Sequence, residues 1–496
     1  MGRRGVALVI SGFLLLQVAW MITIPPFRGI DEIDHAYRAA AVAHGDWVAG
    51  EWAPDGRGWL VEVPASLVAA AEPQCRELKY YGPDNCEAVA TSADGDVLIA
   101  SSAAGYHPAF YWVIGTAARP FDGTAALYAM RIAAALMCLL FLGLAVWATG
   151  RLSTRWPTAA LLLAASPVLV YSTTVAAPNG LEMSAGLSLW CSLLAFAQAP
   201  DRADRVAEDQ AAERRLLGVA IASAVVLGTL RLLGPLFIVL IVASVAALQW
   251  RPFWAAIRQT LGLFCVGAAL VGASVAAFAW WTFGPYVLDT SEAGREGPDT
   301  FDLGNLALWP LQSIAAFPYR DQMGSLIVYP VVGALVIALV IVALRAGTRH
   351  EGLVLLASLL TALAVPVVLS LLTLKSTGVI WQGRYGLPYA VGFVLLGGVI
   401  MGRRPSRATL PWSLTVPALL AYAVAIVACL LKVLDAEMRD NAASAADPVW
   451  QEPGAVLLSA LVALAVACFA AALSGQARDR ADGPAETATH PHLRNV

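Results

Sequence analysis

The chain has 496 residues, of which 59% are hydrophobic and only 14% are charged, and its formal net charge is −3. With a mean hydropathy of +0.68, this composition excludes a soluble globular protein and indicates a polytopic membrane protein. The net charge says little about partners, because the position of the cations along a membrane chain matters more than their sum. We expect no nucleic-acid partner.

The first apolar run, residues 6–24, follows Arg3 and Arg4 and has no small-residue cleavage site before Pro25. We interpret it as an uncleaved membrane anchor. Because cations favour the cytoplasmic side, the amino terminus is predicted to be cytoplasmic. Residues 25–124 then form the first extracytoplasmic loop, with short amphipathic helices. The bias towards arginine and alanine indicates a bacterium, so we predict the inner (plasma) membrane.

The stretch directly after the anchor concentrates titratable side chains. If a helix begins here, Asp31 and His35 lie four residues apart on one face, and a general base would sit beside an orienting partner. Glu32 is the second candidate base. On the alternative interpretation, Asp31 and Glu32 only complement the positive end of the helix dipole, and Asp34 forms an ion pair with Arg38.

Two cysteines lie in the first predicted loop, Cys75 and Cys86, whereas the other five fall in apolar runs. Nearby thiols in an oxidising compartment tend to pair. We therefore predict a disulfide between Cys75 and Cys86.

The same loop contains His107, which precedes an apolar run that ends at Arg119-Pro120. This run is too short to cross a bilayer, and we predict that it lies along or dips into the interface. A lone histidine in such a place most often makes a structural hydrogen bond. The functional alternative is that His107 lines an acceptor site.

Beyond this loop, apolar runs alternate with arginine-rich segments, which places both termini in the cytoplasm. Residues 216–249 hold the main ambiguity, because Arg231 and Gly234-Pro235 interrupt a stretch that is either two short spans or one kinked helix. Residues 1–473 are predicted to form one all-α membrane domain, and residues 474–496 a disordered cytoplasmic tail. With the anchor, about twelve spans (eleven to thirteen) are predicted, at residues 125–148, 157–175, 181–198, 216–230, 234–249, 260–283, 325–344, 352–374, 386–401, 410–431 and 454–473.

Four cations on the predicted extracytoplasmic side depart from the general charge bias. Each of them alone is most simply a lipid-headgroup anchor. Together, on the side of the acidic stretch, they favour a binding site for an anion held at the membrane surface, such as a lipid phosphate. They are Arg231, Arg320, Lys375 and Arg384. A nearby acidic residue, Glu182, is interpreted as capping the helix that follows it.

Several short motifs resemble a family of bacterial multi-span membrane proteins of unknown function, which is itself similar to GT-C glycosyltransferases that use polyprenyl-phosphate sugars. The resemblance covers roughly residues 1–400. The motifs that carry it are Pro26-Phe27, Asp31-Glu32-x-x-His35 with Arg38, Tyr106-x-Pro108-x-x-Tyr111 and Gln382-Gly383-Arg384-Tyr385.

This resemblance implies a GT-C-like fold and a lipid-linked sugar donor that enters from the membrane. The partners would be a polyprenyl-phosphate-linked sugar, membrane lipid, and an envelope glycan, glycolipid or protein as acceptor. Asp31 or Glu32 would be the catalytic base. Asp34, His35, Arg38 and His107 would orient groups or line the acceptor side, and the leaving phosphate would be bound by Arg384, Tyr385, Lys375, Arg320 and Arg231.

Two other function classes compete with this interpretation. A transporter or flippase of lipid-linked glycans would need polar residues within the spans and paired broken helices, whereas the charges here cluster outside. A polysaccharide polymerase or ligase would also use external arginines, but without an acidic helix directly after the first span.

No cofactor follows from the sequence with certainty. Asp31, Glu32, Asp34 and His35 offer hard ligands for a divalent cation, but they form no closed coordination set in the sequence. A metal site is therefore not favoured.

Overall fold

The computed structural model describes the chain except for residues 49, 92–95, 198–206, 284–300, 318–321, 378–380, 405–409 and 482–496. Most of the described residues are helical. The long helices are α1 (Arg3–Thr23), α6 (Gly123–Thr149), α9 (Asn179–Ala197), α10 (Ala207–Leu230), α11 (Gly234–Leu248), α13 (Leu261–Phe283), α15 (Val328–Ala346), α16 (Arg349–Thr377), α17 (Leu387–Gly402), α18 (Trp412–Asp440) and α20 (Ala455–Ala481).

Shorter helices connect or flank these. They are α2 (Glu32–His44), α3 (Ala65–Glu77), α4 (Pro83–Cys86), α5 (Pro108–Ala118), α7 (Trp156–Ala164), α8 (Pro167–Ser172), α12 (Trp250–Gln259), α14 (Asn305–Ile314) and α19 (Ala442–Ala446), with a 3₁₀ turn at Gly383–Gly386.

The membrane-protein prediction is confirmed by the number of long apolar helices. Within the described residues, nine helices are long and apolar enough to cross a bilayer, or ten if the bent pair α11–α12 is one span. The remaining predicted spans correspond to α10 and to the pair α7–α8. The apolar part of α10 follows Glu213, Arg214 and Arg215. The count of twelve therefore stays a prediction.

The pair α7–α8 is interrupted at Ala165–Ser166, and neighbouring helices satisfy the freed polar groups. The Tyr422 hydroxyl donates to the Ala165 carbonyl at 2.7 Å, and the Ser166 hydroxyl donates to the Ser313 carbonyl at 2.9 Å. A break within an apolar environment is tolerated only when the exposed backbone groups find such partners.

Residues 216–249 form two helices that fold back on each other. A methyl group placed on Gly228 would lie 3.4 Å from the Ile238 side chain. Ten residues of continuous helix would separate these positions by about 15 Å. The ambiguity in the sequence is therefore resolved in favour of two helices, with Arg231 at the connection.

Long-range contacts define two ends of the helix bundle. At the first, called the turn end, the Arg28 guanidinium binds Glu437 at 2.8 Å, and the Trp450 indole donates to the Ile22 carbonyl at 2.9 Å. At the opposite one, called the basic end, the amino terminus donates to the Gly150 carbonyl and Glu351 binds Arg403 and Arg404. The positive-inside rule predicts that the basic end faces the cytoplasm.

The long loop contains a small sheet that the sequence analysis did not predict. Strands β1 (Trp59–Pro64), β2 (Ala90–Thr91) and β3 (Asp96–Ser101) pair antiparallel in the order β1-β3-β2. Alternation explains β1, because Val61 and Val63 are buried while their neighbours are half-exposed. The all-α prediction therefore holds for the membrane part and not for the loop.

Helix α3 and helix α4 lie against this sheet and are joined by a disulfide between Cys75 and Cys86, whose Cα atoms are 5.5 Å apart. At the other end of the chain, α20 continues to Ala481. The predicted disordered tail from residue 474 therefore begins as helix, and its remainder, 482–496, lies outside the described residues.

Candidate functional site

The acidic turn after α1 has an unusual backbone. Of the described residues other than glycine, two have a positive φ, and both are here: Phe27 at 61° and Asp31 at 52°. Left-handed backbone is costly for residues with a side chain, although aspartate tolerates it better than most. Asp31 is thus not the first residue of the helical face, as predicted, but the residue that precedes α2, and its carbonyl accepts the His35 amide at 3.2 Å.

This backbone directs the Asp31 carboxylate away from α2 and towards the 3₁₀ turn. Its Oδ2 lies 3.4 Å from Nη2 of Arg384. The Asp31 side chain keeps 36% of its surface exposed, whereas that of Arg384 keeps 5%. An exposed carboxylate with a single long ion-pair contact retains lone pairs that can accept a proton.

Glu32, the next residue, has a different environment. Its two oxygens accept from Nε and Nη2 of Arg131 at 2.8 and 2.6 Å, and from the amides of Gly29 and Ala176. The side chain is fully buried. A carboxylate with this many charge-assisted and backbone hydrogen bonds is a structural anchor, so the geometry does not support Glu32 as a base.

Asp34 and Arg38 attach α2 to the loop. The Asp34 carboxylate accepts from the Tyr81 hydroxyl at 2.8 Å and the Ser102 amide at 2.6 Å. Burial raises the pKa of Asp34 to about 6. Arg38 donates to backbone carbonyls, among them that of Tyr106, and not to Asp34. These contacts position the loop and occupy the Asp34 carboxylate, while Nε of Arg38 is buried without a hydrogen-bond partner among the described residues.

His35 is buried beside two tyrosines. Its Nδ1 lies 2.8 Å from the Tyr111 hydroxyl, and its ring lies 5.9 Å from that of Tyr106. Nε2 has no hydrogen-bond partner among the described residues. Burial, opposed by the nearby Asp31 carboxylate, lowers the pKa of His35 to about 3. The imidazole is therefore neutral at pH 7 and adds no charge to the site.

Arg384 is held by a tightly packed turn. The Gly383 amide donates to Gln312 Oε1 at 2.9 Å, and the Ser313 hydroxyl donates to the Gly383 carbonyl. A side chain at Gly383 would clash with the Trp309 carbonyl, which lies 2.1 Å from an added Cβ. The glycine before Arg384 is therefore required for the arginine to lie at this depth.

Aromatic rings surround the two arginines. The Arg384 guanidinium lies 4.9 Å from the ring centre of Tyr385. Arg231 lies between two rings, at 5.1 Å from Tyr385 and 5.8 Å from Tyr106. Among the described residues, Nε of each arginine is buried without a hydrogen-bond partner. Buried donors of this kind mark a place where an anion would complete the hydrogen bonding.

Glu182 completes this group of charges, although the sequence analysis assigned it a capping role only. It lies in the first turn of α9, is 3% exposed, and interacts electrostatically with Arg231 and Arg384. We call Asp31, His35, Glu182, Arg231, Arg384 and Tyr385 the charged cluster.

An apolar cavity of about 680 Å³ opens next to this cluster. The 3₁₀ turn supplies Gly383 and Gly386 to its wall, and Trp381 lies beside them. Apart from Ser166 and Ser313, the rest of the lining is apolar and comes mainly from α14, α15, α16 and α17. The turn that carries Arg384 thus forms part of the wall of a compartment suited to a hydrocarbon chain, while the Arg384 side chain itself does not line it.

Residues 14–393 match a protein-family model described as "Predicted membrane protein (DUF2142)". The chain belongs to this family. No curated protein matches the sequence. Among solved structures, the chain is similar to ArnT from Cupriavidus metallidurans bound to undecaprenyl phosphate, at 16% identity and a TM-score of 0.43, over 96% of this chain and 79% of that one. For ArnT in the apo state the values are 16%, 0.40, 92% and 74%.

The family description names a membrane protein and no activity.

Three predicted site residues do not belong to the charged cluster as defined above. Arg320 falls within 318–321, which the structure does not describe. Lys375 is exposed near the end of α16. His107 precedes α5 and accepts the Ala109 amide at 3.4 Å; burial, with the charge of Arg38, lowers its pKa.

The four side chains considered as metal ligands contact different partners. Within the described residues, no group of three or more His, Cys, Asp or Glu side chains is placed to hold a metal ion. Asp31 contacts Arg384, Glu32 contacts Arg131, and Asp34 contacts the loop. These residues do not fit a divalent-cation site.

The sequence analysis missed Arg131 and Glu437 as ion-pair partners and left Glu182 out of the site. Arg131 is a lone charge within the predicted span 125–148. An ionisable residue within an apolar span is generally paired, and that signal alone would have identified it.

Proposed function

We propose that this protein is a glycosyltransferase of the bacterial plasma membrane. It moves a sugar from a polyprenyl-phosphate donor to a hydroxyl group of an envelope glycan, glycolipid or protein on the extracytoplasmic side. The observation that carries the proposal is the partly exposed Asp31 carboxylate beside Arg384, which lies on a turn whose Gly383 and Gly386 line an apolar cavity. A base, a cation and a hydrocarbon compartment are the parts that such a transfer needs.

Asp31 is the general base. It takes the proton of the acceptor hydroxyl, the acceptor oxygen bonds to the anomeric carbon, and the bond from that carbon to the phosphate oxygen breaks. The electron pair of the broken bond leaves with the lipid phosphate. Glu32 cannot take this role, because Arg131 and two backbone amides already bind its oxygens.

Arg384 and Arg231 stabilise the charge of the departing phosphate. Charge-assisted hydrogen bonds from arginine to phosphate are among the strongest in proteins. The buried Nε donors of both residues support this role, and Tyr385 holds the guanidinium groups by contact with its ring. Glu182 offsets part of the positive charge when no phosphate is bound.

The neutral His35 directs hydrogen bonds without adding a cation. Tyr111 fixes the ring through Nδ1, so Nε2 is directed at a defined position. With the Tyr111 hydroxyl donating, Nε2 carries the hydrogen and can donate to the acceptor or to the sugar.

The test is transfer by the purified full-length protein in lipid nanodiscs. Radiolabelled polyprenyl-phosphate hexoses and pentoses serve as donors, and a glycan and glycolipid extract of bacterial envelopes serves as acceptor. We expect label in the acceptor fraction with the wild type and with Asp122→Asn, which alters an exposed carboxylate on the same loop. The proposal fails if no donor gives transfer, or if Asp31→Asn transfers as well as the wild type. Movement of intact lipid-linked glycan across vesicles without transfer would favour a flippase.

A further inference from the structure

A β-hairpin in the long loop carries two tryptophans that the proposed reaction does not use. Trp52 and Trp59 face each other across the hairpin as a bridge pair. The Ala53 amide donates to the Gly58 carbonyl at 3.0 Å, and the Leu60 amide donates to the Glu51 carbonyl at 2.8 Å. The tip between them turns at Gly58, whose φ is +90°. The indoles are therefore held on a defined backbone.

The two rings form a corner that is open to solvent. Their centroids are 4.9 Å apart and their planes meet at 79°. Trp52 is 42% exposed, and Trp59 is half-buried. A contiguous exposed apolar surface rimmed by polar residues marks an interaction site.

The corner is continuous with the charged cluster. The Trp59 ring packs on Gly105, since a methyl group added there would lie 3.4 Å from the indole. The next residue, Tyr106, contacts His35 and Arg231 with ring distances of 5.9 and 5.8 Å. The indole corner is therefore adjacent to the segment Gly105-Tyr106, which contacts the charged cluster.

The surroundings of the corner are polar. Glu51, Asp55 and Arg57 are exposed on the same hairpin, and Arg57 lies 5.2 Å from the ring of Tyr80. A surface that inserts into the bilayer would not carry this density of charge. Indole faces bind the C–H face of a sugar ring, while carboxylates and guanidinium groups bind its hydroxyls.

We propose that Trp52 and Trp59 form a subsite that binds the glycan chain of the acceptor and guides its terminal hydroxyl towards Asp31. The inference rests on the proposed function and narrows its acceptor to a saccharide of several residues. The loop then binds the acceptor glycan, whereas the charged cluster binds the donor.

Direct binding tests the subsite without requiring transfer. The fluorescently labelled full-length protein in nanodiscs is applied to an array of gluco-, manno-, galacto- and arabino-oligosaccharides. We expect binding to at least one class, weakened about tenfold in Trp52→Ala, because this change removes the apolar face on which a sugar ring would be buried. Trp52→Phe keeps an aromatic face and is expected to bind nearly as the wild type does.

Two controls separate the subsite from folding and from catalysis. Trp250→Ala removes another exposed tryptophan, which is 60% exposed on α12, and should leave glycan binding unchanged. Asp31→Asn should bind glycans normally even though it does not transfer. If transfer fails with every donor but glycan binding depends on Trp52, the proposed reaction is wrong and the subsite stands.

Three results would overturn the subsite alone. One is wild-type protein that binds no oligosaccharide on the array. Another is equal binding by the wild type and Trp52→Ala. The third is quenching of tryptophan fluorescence by brominated lipid that is smaller in Trp52→Ala than in the wild type, which would place this indole in the bilayer as an interfacial anchor.

Discussion

Two neighbouring carboxylates, Asp31 and Glu32, each pair with an arginine distant in the sequence. The two pairs differ in burial, in the distance between their atoms and in the number of their hydrogen bonds. Glu32 and Arg131 are buried, at 0% and 1% exposure, and their closest atoms are 2.6 Å apart. Asp31 and Arg384 make one contact at 3.4 Å, and Asp31 remains 36% exposed. The first pair has completed its hydrogen bonding, whereas the second is open to a ligand.

The backbone explains this difference. Glu32 begins α2 and faces the helix bundle, where Arg131 enters from α6. Asp31 has the left-handed conformation, which turns its side chain out of the helical path. The structural anchor Glu32 and the candidate base Asp31 are thus adjacent in the sequence, and both side chains are carboxylates. Their backbone conformations distinguish them.

The largest expected effect is on transfer by Asp31→Asn. Loss of a general base lowers the rate by about a hundredfold to ten-thousandfold, and the open pair contributes little to folding. We expect kcat to fall by this amount while the thermal unfolding temperature in detergent stays at the wild-type value. A large fall in that temperature would mean that Asp31 is an anchor like Glu32.

Next in size is the loss of stability in Arg131→Met. Removing one partner of a buried pair leaves the Glu32 charge uncompensated, which costs about 3–5 kcal/mol. The free energy of unfolding is measured by denaturant titration of the protein in mixed micelles. Adding Glu32→Gln should restore part of the loss. Arg439→Met breaks an exposed pair with Asp435 and should cost less than about 1 kcal/mol.

A smaller effect is expected for Arg384→Ala. Loss of one charge-assisted contact to phosphate costs about 1.5–3 kcal/mol, which should lower kcat/KM for the lipid donor about tenfold to a hundredfold and change the acceptor KM little. Lys375→Ala, which alters an exposed cation, is the matched control and should change neither value much. Equal effects of the two variants would contradict the assignment of Arg384 to the phosphate.

The smallest effect concerns pH and the neutral His35. Its pKa falls from 6.5 unfolded to about 3 folded, so the unfolded chain binds the extra proton and stability is lost as pH falls below 6.5. The slope approaches about 1.4 kcal/mol per pH unit. Thermal unfolding between pH 7 and 5 should therefore be less pH-dependent in His35→Asn than in the wild type.

Asp34 contributes with the opposite sign, because its folded pKa is raised from 3.8 to about 6. Its contribution to stability is lost as pH rises through that window. Since Asp34 is present in both proteins, it cancels from their difference. His44→Asn, on the same helix but exposed, should follow the wild type. If His35→Asn has the same pH dependence as the wild type, the imidazole binds its proton as readily in the folded as in the unfolded protein.

Composition and charge distribution were sufficient to predict a polytopic helical membrane protein, since apolar runs of bilayer length have few alternatives in lipid. The sheet in the first loop was not predicted. Its short alternating strand, with Val61 and Val63 buried, was not separated from the polar, glycine- and proline-rich sequence around it. Strand pairing there depends on contacts between residues about forty positions apart, such as Trp59 with Ser101, which local patterns do not contain.

The sequence by itself identified candidate site residues, among them Asp31, His35, Arg231 and Arg384. Charged residues in apolar chains are costly and therefore few. Only the tertiary structure decided which carboxylate is open and which is bound. That choice depends on Arg131 and Arg384, which reach the turn from positions 99 and 353 residues beyond their partners. The packing of distant helices determines which carboxylate is buried and which arginine each one contacts. The left-handed backbone at Asp31 separates its side chain from that of Glu32.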